Sequence, residues 1–181
     1  MSHRRLIVLG AVGVMALVAA GCANKPLRAA NADGTYCLRV NSKSRRRTCT
    51  PEPVPGSAVD AQAKGFQVDA AALTVYVVRK RWADAINVID LSIDGQRVAS
   101  TVPSSFVRLK LEPGSHRIAA LWQGEPIEQV ISGVSGDLVF VELVGSAWAW
   151  ASNYRLEIGN LESSPRRILA SRLVADSDLR A

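Results

Sequence analysis

The most constraining feature of this sequence is a strict alternation of nonpolar and polar residues that ends in a turn signal. Residues 89–94 read Ile-Asp-Leu-Ser-Ile-Asp, the pattern of a β-strand with one buried face and one face in water. Asp94-Gly95 suits a type I′ turn, in which both central residues have positive φ. Residues 97–101 are therefore predicted to return as the partner strand.

A second alternating segment, residues 107–111, is followed by Glu112-Pro113-Gly114-Ser115. Proline fixes φ at the second position of a turn and glycine supplies positive φ at the third. This pattern predicts a second hairpin, with residues 116–121 as its return strand.

Two segments, residues 73–78 and 138–143, are almost continuously nonpolar and are predicted to be central strands covered on both sides. Short nonpolar segments recur at roughly ten-residue spacing, which favours an all-β antiparallel β-sandwich of about seven strands. Residues 155–158 and 168–174 fit a closing strand or a short helix equally well.

The N-terminus has the layout of a secretory signal. Arg4 and Arg5 precede an uncharged nonpolar run from residue 6 to residue 20. This run is shorter than the roughly 20 residues that a membrane-spanning helix needs, so a signal peptide of residues 1–21 is predicted.

Residues 17–22, Leu-Val-Ala-Ala-Gly-Cys, resemble the bacterial lipobox. The resemblance implies that Cys22 receives a diacylglycerol and becomes the new N-terminus, which would anchor the chain firmly to a membrane. Ala23 in the next position implies sorting to the outer membrane, with the body facing the periplasm. The alternative is a soluble periplasmic protein that is cut at the same small residues with Cys22 unmodified.

Positive charge is concentrated between residues 23 and 50, which hold seven basic residues and one acidic residue. Residues 51–181 hold thirteen basic and fifteen acidic residues. A nucleic-acid-binding domain would carry its basic face on the folded body, so nucleic acid is not an expected partner. The basic segment either contacts an anionic membrane surface or is simply solvated.

Cys37 and Cys49 remain as a pair after Cys22 is assigned. In an oxidising compartment they are expected to form a disulfide that closes a basic loop. Residues 50–64 are rich in proline and small residues and are interpreted as a linker or a wrap on the body. The predicted organisation is a basic tether at 22–66 and a β-sandwich domain at 67–181.

Four segments resemble a family of bacterial lipoproteins known only as a domain of unknown function. They are Leu-Thr-Val-Tyr-Val-Val-Arg at 73–79, Ile-Asp-Gly-Gln at 93–96, Glu-Pro-Gly-Ser-His-Arg-Ile at 112–118 and Asp-Leu-Val-Phe-Val-Glu-Leu at 137–143. The resemblance implies an immunoglobulin-like or carboxypeptidase-regulatory-like sandwich and no assigned activity.

Motifs for catalysis are weak. His116 is the only histidine in the exported chain and so the only one that could be the base of a catalytic triad. It lies directly after a predicted turn, and a structural role at that turn is enough to explain it. Residues 133–136 lack the spacing of a nucleophile elbow, and no phosphate loop, zinc spacing or calcium loop is present. No enzyme, cofactor or metal is expected, although an envelope hydrolase remains a third alternative.

Two segments are candidate binding sites. Trp148, Trp150 and Tyr154 fall on one side of an extended chain and could stack on sugar rings, or could instead close one end of the core. Residues 79–82 are Arg79, Lys80, Arg81 and Trp82. They form either a loop for anionic head groups or a merely solvated loop.

These observations predict a non-catalytic, lipid-anchored binding or structural module of the bacterial envelope. The first hypothesis is a protein-interaction module that uses a strand edge or the disulfide-closed loop. The alternative is a module that binds peptidoglycan or another glycan through the tryptophan row.

Overall fold

A computed structural model describes residues 29–39, 47–80, 87–148 and 151–180. Eleven strands and two short helices lie in these ranges. The first strands and helix are β1 (Cys37–Arg39), β2 (Arg47–Cys49), α1 (Ser57–Ala63), β3 (Leu73–Lys80), β4 (Ile89–Ile93) and β5 (Gln96–Thr101). The rest are β6 (Ser105–Leu111), β7 (Gly114–Trp122), β8 (Glu125–Gly133), β9 (Leu138–Trp148), β10 (Ala151–Ile158), α2 (Ser163–Leu169) and β11 (Arg172–Asp178).

Two large sheets pack face to face, which confirms the predicted all-β sandwich. One sheet has the strand order β10-β9-β3-β6-β11 and the other the order β5-β4-β7-β8, while β1 and β2 form a separate small sheet. The five-stranded sheet is mixed rather than antiparallel, because β3 pairs parallel with β9 and β11 pairs parallel with β6. The described strands also exceed the predicted seven.

The central strand β3 is buried on both faces, as its nonpolar run predicts. Leu73, Val75 and Val77 point into the core between the two sheets. Tyr76 and Val78 point to the opposite face, where they pack with residues of the helices, among them Ala63 and Ile168. The five-stranded sheet is therefore the middle layer of the molecule.

The first predicted hairpin is confirmed. β4 and β5 pair antiparallel, with Ile93 opposite Gln96, so the connection is a two-residue turn. Asp94 has φ 50° and Gly95 has φ 86°, as a type I′ turn requires.

The prediction of a second hairpin, from residues 107–111 and 116–121, is wrong. β6 belongs to the five-stranded sheet and β7 to the four-stranded sheet, so residues 112–113 carry the chain from one sheet to the other. The physical reason is that Phe106 and Arg108 are buried on the helix-covered face of β6, whereas a hairpin strand with a wet face would expose them. β7 instead pairs with β8 through Gln123 and Gly124, which have φ 53° and 88°.

The C-terminal part contains strands and a helix together. β10 pairs with β9, α2 follows, and β11 closes the five-stranded sheet beside β6. Both structures predicted for this part therefore occur, one after the other.

The predicted linker is folded onto the body. α1 buries Ala63 against the outer face of the five-stranded sheet, and Val54 packs against the core between the sheets. Tyr36, still earlier in the chain, is itself a core residue. The packed body thus begins well before the boundary predicted at residue 66.

Candidate functional site

The predicted disulfide is present. Cys37 and Cys49 are joined, and they lie opposite each other in the β1–β2 pair. The two cysteines are 12 positions apart in the sequence. In the chain-entropy model, a disulfide that closes a loop of this length stabilises the folded state by up to about 3 kcal/mol. The tip of this loop, with Lys43, Arg45 and Arg46, lies outside the described residues.

Cys22, the predicted lipidation site, also lies outside the described residues. No helix in the described ranges is long and nonpolar enough to cross a membrane.

Arg79 does not lie in an exposed basic loop. It belongs to β3, is 1% exposed, and donates a hydrogen bond from Nη1 to the carbonyl of Thr101 at 2.6 Å. Its guanidinium also lies 5.5 Å from the ring centroid of Tyr154. Arg79 is therefore part of the interior, while Arg81 and Trp82 and the side chain of Lys80 lie outside what the structure describes.

Tyr154 does not contribute to an exposed aromatic row. It is buried in β10 and packs edge-to-face on Trp122 at a centroid distance of 5.0 Å. Its hydroxyl accepts a hydrogen bond from Asn87 at 2.6 Å. The other members of the predicted row, the Trp148 side chain and Trp150, lie outside the described residues.

The outer face of the four-stranded sheet carries a groove that the sequence did not reveal. Its volume is about 550 Å³. The groove is bordered by the β4–β5 turn on one side and by β8 on the other, and Ala119 leaves space at its centre. It is lined by Ser92, Asp94, Gly95, Ser115, His116, Arg117, Ala119, Pro126, Glu128 and Val130.

His116 is fixed at the end of this groove by two oxygen atoms. Its Nδ1 lies 2.7 Å from Oδ2 of Asp94, and its Nε2 lies 2.8 Å from the carbonyl oxygen of Glu112. Partial burial lowers the pKa of His116, but the two hydrogen bonds outweigh this effect and raise the pKa above its usual value. The arrangement links β7 to the β4–β5 turn and to the crossing between the sheets.

Asp94 is held in its ionised form. Its Oδ1 accepts the backbone N–H of Arg117 at 2.8 Å, and this bond, followed by the contact with His116, lowers the pKa of Asp94. The carboxylate has two partners, so it acts as a structural acceptor for the turn.

The rest of this face mixes charge with exposed nonpolar side chains. The Arg117 side chain points toward Glu128, with 3.6 Å between Nε and Oε2. Leu121 and Val130 are 47% and 55% exposed. A surface of this kind can make both polar and nonpolar contacts with another macromolecule.

Strand β8 is an edge of the four-stranded sheet. Because a two-residue turn joins it to β7, Trp122 and Glu125 form the first hydrogen-bonded pair. The backbone groups of Glu128, Val130 and Ser132 then point away from β7. Within the described part of the chain their N–H groups have no backbone partner, while the carbonyl of Val130 accepts the side-chain amide of Gln129 at 2.9 Å.

The other three edges of the two large sheets are contacted by other parts of the chain. Arg97 of β5 pairs with Glu52 at 2.9 Å, and the backbone N–H of Leu173 in β11 donates to Asp60 at 2.7 Å. The carbonyl of Ser152 in β10 accepts the indole N–H of Trp122 at 3.1 Å. The β8 edge lies beside β10, but within the described residues the outward N–H groups of Glu128, Val130 and Ser132 have no backbone partner.

Metal-binding chemistry has no visible basis in the described ranges, where no group of three or more His, Cys, Asp or Glu side chains could hold an ion. The groove contains a histidine and carboxylates, but it lacks an exposed hydroxyl or thiol placed to be activated by His116, since both ring nitrogens already face Asp94 and Glu112.

No protein-family model matches this chain, and no curated protein sequence is significantly similar to it. The resemblance to the lipoprotein family named above therefore stays a prediction.

Proposed function

We propose that this chain is a non-catalytic, lipid-anchored protein of the bacterial envelope that binds a protein partner along the open β8 edge and the adjoining outer face. The observation that carries the proposal is the row of outward-pointing backbone groups at Glu128, Val130 and Ser132. Such a row is a template for adding an extended strand.

Support for the envelope location comes from the sequence and from the disulfide. Residues 1–21 have signal-peptide character and are followed directly by Cys22. The Cys37–Cys49 disulfide is typical of proteins that fold in an oxidising compartment. The proposed location is the outer membrane, with the body on the periplasmic side.

A protein is the ligand class that this edge suits best. Main-chain hydrogen bonds along a strand edge give affinity, and every second side chain on the same face gives specificity. Here the nonpolar side chain of Val130 stands between Glu128 and Ser132 on the outer face. A partner strand with a nonpolar residue at its centre would match this order.

The glycan-binding alternative gains no support from Tyr154, because its ring is covered by Trp122 and Arg79. Without it, the predicted row is reduced to Trp148 and Trp150. The described residues give no observation that favours this alternative.

Photo-crosslinking in cells tests the proposal. A photoreactive amino acid is placed at Val130 in the full-length chain, and the matched control carries it at Leu169, which is 53% exposed at the end of α2. We expect a discrete crosslinked protein product from position 130 and not from position 169. If both positions give the same diffuse products, β8 is not a protein-binding edge.

A further inference from the structure

The order of side chains along β8 matches a second copy of the same strand running in the opposite direction. We infer that two copies of this chain pair antiparallel along β8, with Val130 opposite the partner's Val130, so that the two four-stranded sheets become one continuous sheet. This inference rests on the proposed function, because it identifies the partner at the β8 edge.

Backbone chemistry limits the registers that β8 can adopt with its copy. Pro126 stands where an outward N–H would be needed and has none. At the other end, the N–H of Val134 already donates to Asp137 at 2.8 Å. The usable groups are therefore those of Glu128, Val130 and Ser132, which form about six hydrogen bonds when Val130 is at the centre.

Side-chain chemistry favours this register over those shifted toward Glu128. With Val130 at the two-fold axis, a half-exposed nonpolar side chain meets its copy, and each Glu128 lies opposite the hydroxyl of Ser132 in the other chain. A shift that moves the axis to position 129 places Glu128 diagonally across from the partner's Glu128, about 7 Å away. A shift to position 128 places the two carboxylates directly opposite each other, where like charges are destabilising.

Pairing has to displace one hydrogen bond of the single chain, from the Gln129 side chain to the Val130 carbonyl. In the single chain the amide of Gln129 occupies the position that an incoming strand's N–H would take. Pairing replaces this bond with a main-chain bond and releases Gln129.

Membrane attachment favours a contact of this size. One strand pair buries less surface than a standard stable interface, so copies free in solution would associate weakly. Copies held on the same membrane have a raised effective concentration, which increases association without any new contact.

The inference can be tested by placing charged residues at position 130, which lies on the proposed two-fold axis. Two differently tagged full-length copies are produced together, and co-purification from solubilised membranes is measured. We expect Val130→Lys in both copies to reduce co-purification at least about fivefold, because the lysines would face each other. Leu169→Lys, at an exposed position at the end of α2 and outside the proposed contact surface, should leave it within about twofold of the wild-type value.

Pairing Val130→Lys in one copy with Val130→Asp in the other should restore most of the co-purification, because only a self-facing residue brings these two side chains together. Val130→Cys in full-length chains provides a measurement without added charge. Mild oxidation of membranes should give disulfide-linked dimers from this variant, and several-fold fewer from Leu169→Cys at the end of α2.

Equal crosslinking of the two cysteine variants, or absence of wild-type co-purification, would overturn the inference. A photo-crosslinked product at position 130 that contains a different protein would leave the proposed function standing and remove the second copy as partner. Absence of any discrete product at position 130 would remove both.

Discussion

His116 shows how the surroundings of a side chain favour its protonated form. Both of its ring nitrogens face oxygen acceptors, the Asp94 carboxylate and the Glu112 carbonyl. A neutral imidazole has only one N–H to donate, so it would leave one of these oxygens facing a lone pair. The protonated ring satisfies both, and the pKa of His116 is accordingly raised.

We expect this contact to make the folded state more stable in mild acid than in mild base. A raised folded-state pKa gives stability that is fully present below the unfolded value, near 6.5, and is lost as the pH rises through the folded value. The contribution should be below about 1 kcal/mol, since the pair lies at the surface. Urea unfolding at pH 5.5 and pH 8 measures it.

His116→Gln is the variant that isolates this effect, because glutamine does not titrate. Its difference in stability between the two pH values should be smaller than that of the wild type. Arg155→Gln, an exposed residue on β10, should keep the wild-type difference. A wild-type pH dependence in His116→Gln would mean that another group is responsible.

Residue-scale predictions from sequence were good where the signal is local and poor where it depends on strand order. The positive φ values of Asp94 and Gly95 follow from their residue types alone. The His116–Asp94 contact joins residues 22 positions apart, and it exists only because β4 and β7 are neighbours. Arg79 was assigned to a loop because it is charged, whereas it lies inside the sandwich.

At the scale of elements, α1 acts as a cover for the β11 edge. Asp60 is buried in this seven-residue helix, where Oδ1 accepts the Leu173 N–H and Oδ2 accepts Lys64 Nζ at 2.7 Å. Arg172 donates to the carbonyl of Pro55, just before the helix. A side-chain carboxylate thus takes the place of a neighbouring strand at this edge.

Asp60→Ala should destabilise the protein by about 1–3 kcal/mol, because it leaves the Leu173 N–H unsatisfied. Chemical unfolding measures the loss, and amide hydrogen exchange at Leu173 should become faster. Glu162→Ala, which changes a side chain 86% exposed, should alter stability by no more than about 0.5 kcal/mol. Unchanged exchange at Leu173 in Asp60→Ala would contradict the role of Asp60.

Element-scale prediction from sequence succeeded for the strand character of β3, β4 and β6 and for the β4–β5 pairing, and failed for the pairing of β6 with β7. The nonpolar run of β3 correctly predicted a strand that is buried on both faces, and the alternation of β4 correctly predicted a strand that is buried on one face. The alternation of residues 107–111 predicted one face in water, but the helix-covered face of β6 buries Phe106 and Arg108. The strand β8, which carries the candidate site, was not predicted: Gly124 is an available turn signal, but residues 127–131 read Ile-Glu-Gln-Val-Ile and do not alternate between nonpolar and polar side chains.

At the scale of the whole molecule, the described residues of the body form three layers: the two helices, the five-stranded sheet and the four-stranded sheet. Of the faces of the two large sheets, only the outer face of the four-stranded sheet is not covered by another layer. Helices α1 and α2 cover one side of the five-stranded sheet, and the four-stranded sheet covers the other. The outer face of the four-stranded sheet is left in contact with water. This asymmetry could not be read from the sequence, because it depends on which strands join which sheet.

Attachment to the membrane is a prediction for the whole chain. Cys22→Ser should move the full-length protein from the membrane fraction to the soluble or unprocessed fraction, because serine cannot carry the thioether-linked lipid. Immunoblotting of fractionated cells, with incorporation of a labelled fatty acid, measures this change. Cys37→Ser should keep both the lipid label and the membrane fraction; equal labelling of Cys22→Ser would show that the anchor is elsewhere.

The burial of Tyr36 sets the radius within which such an anchored molecule can act. Tyr36 is seated in the core, and its backbone is bonded to Thr50 in both directions. For a chain acylated at Cys22, only thirteen residues lie between Cys22 and this fixed point, so the two are fourteen Cα–Cα steps apart. Fully extended, they reach about 50 Å at roughly 3.5 Å per residue. Acylation at Cys22 would therefore confine the body to a thin zone beside the membrane, and a partner would have to lie in that zone.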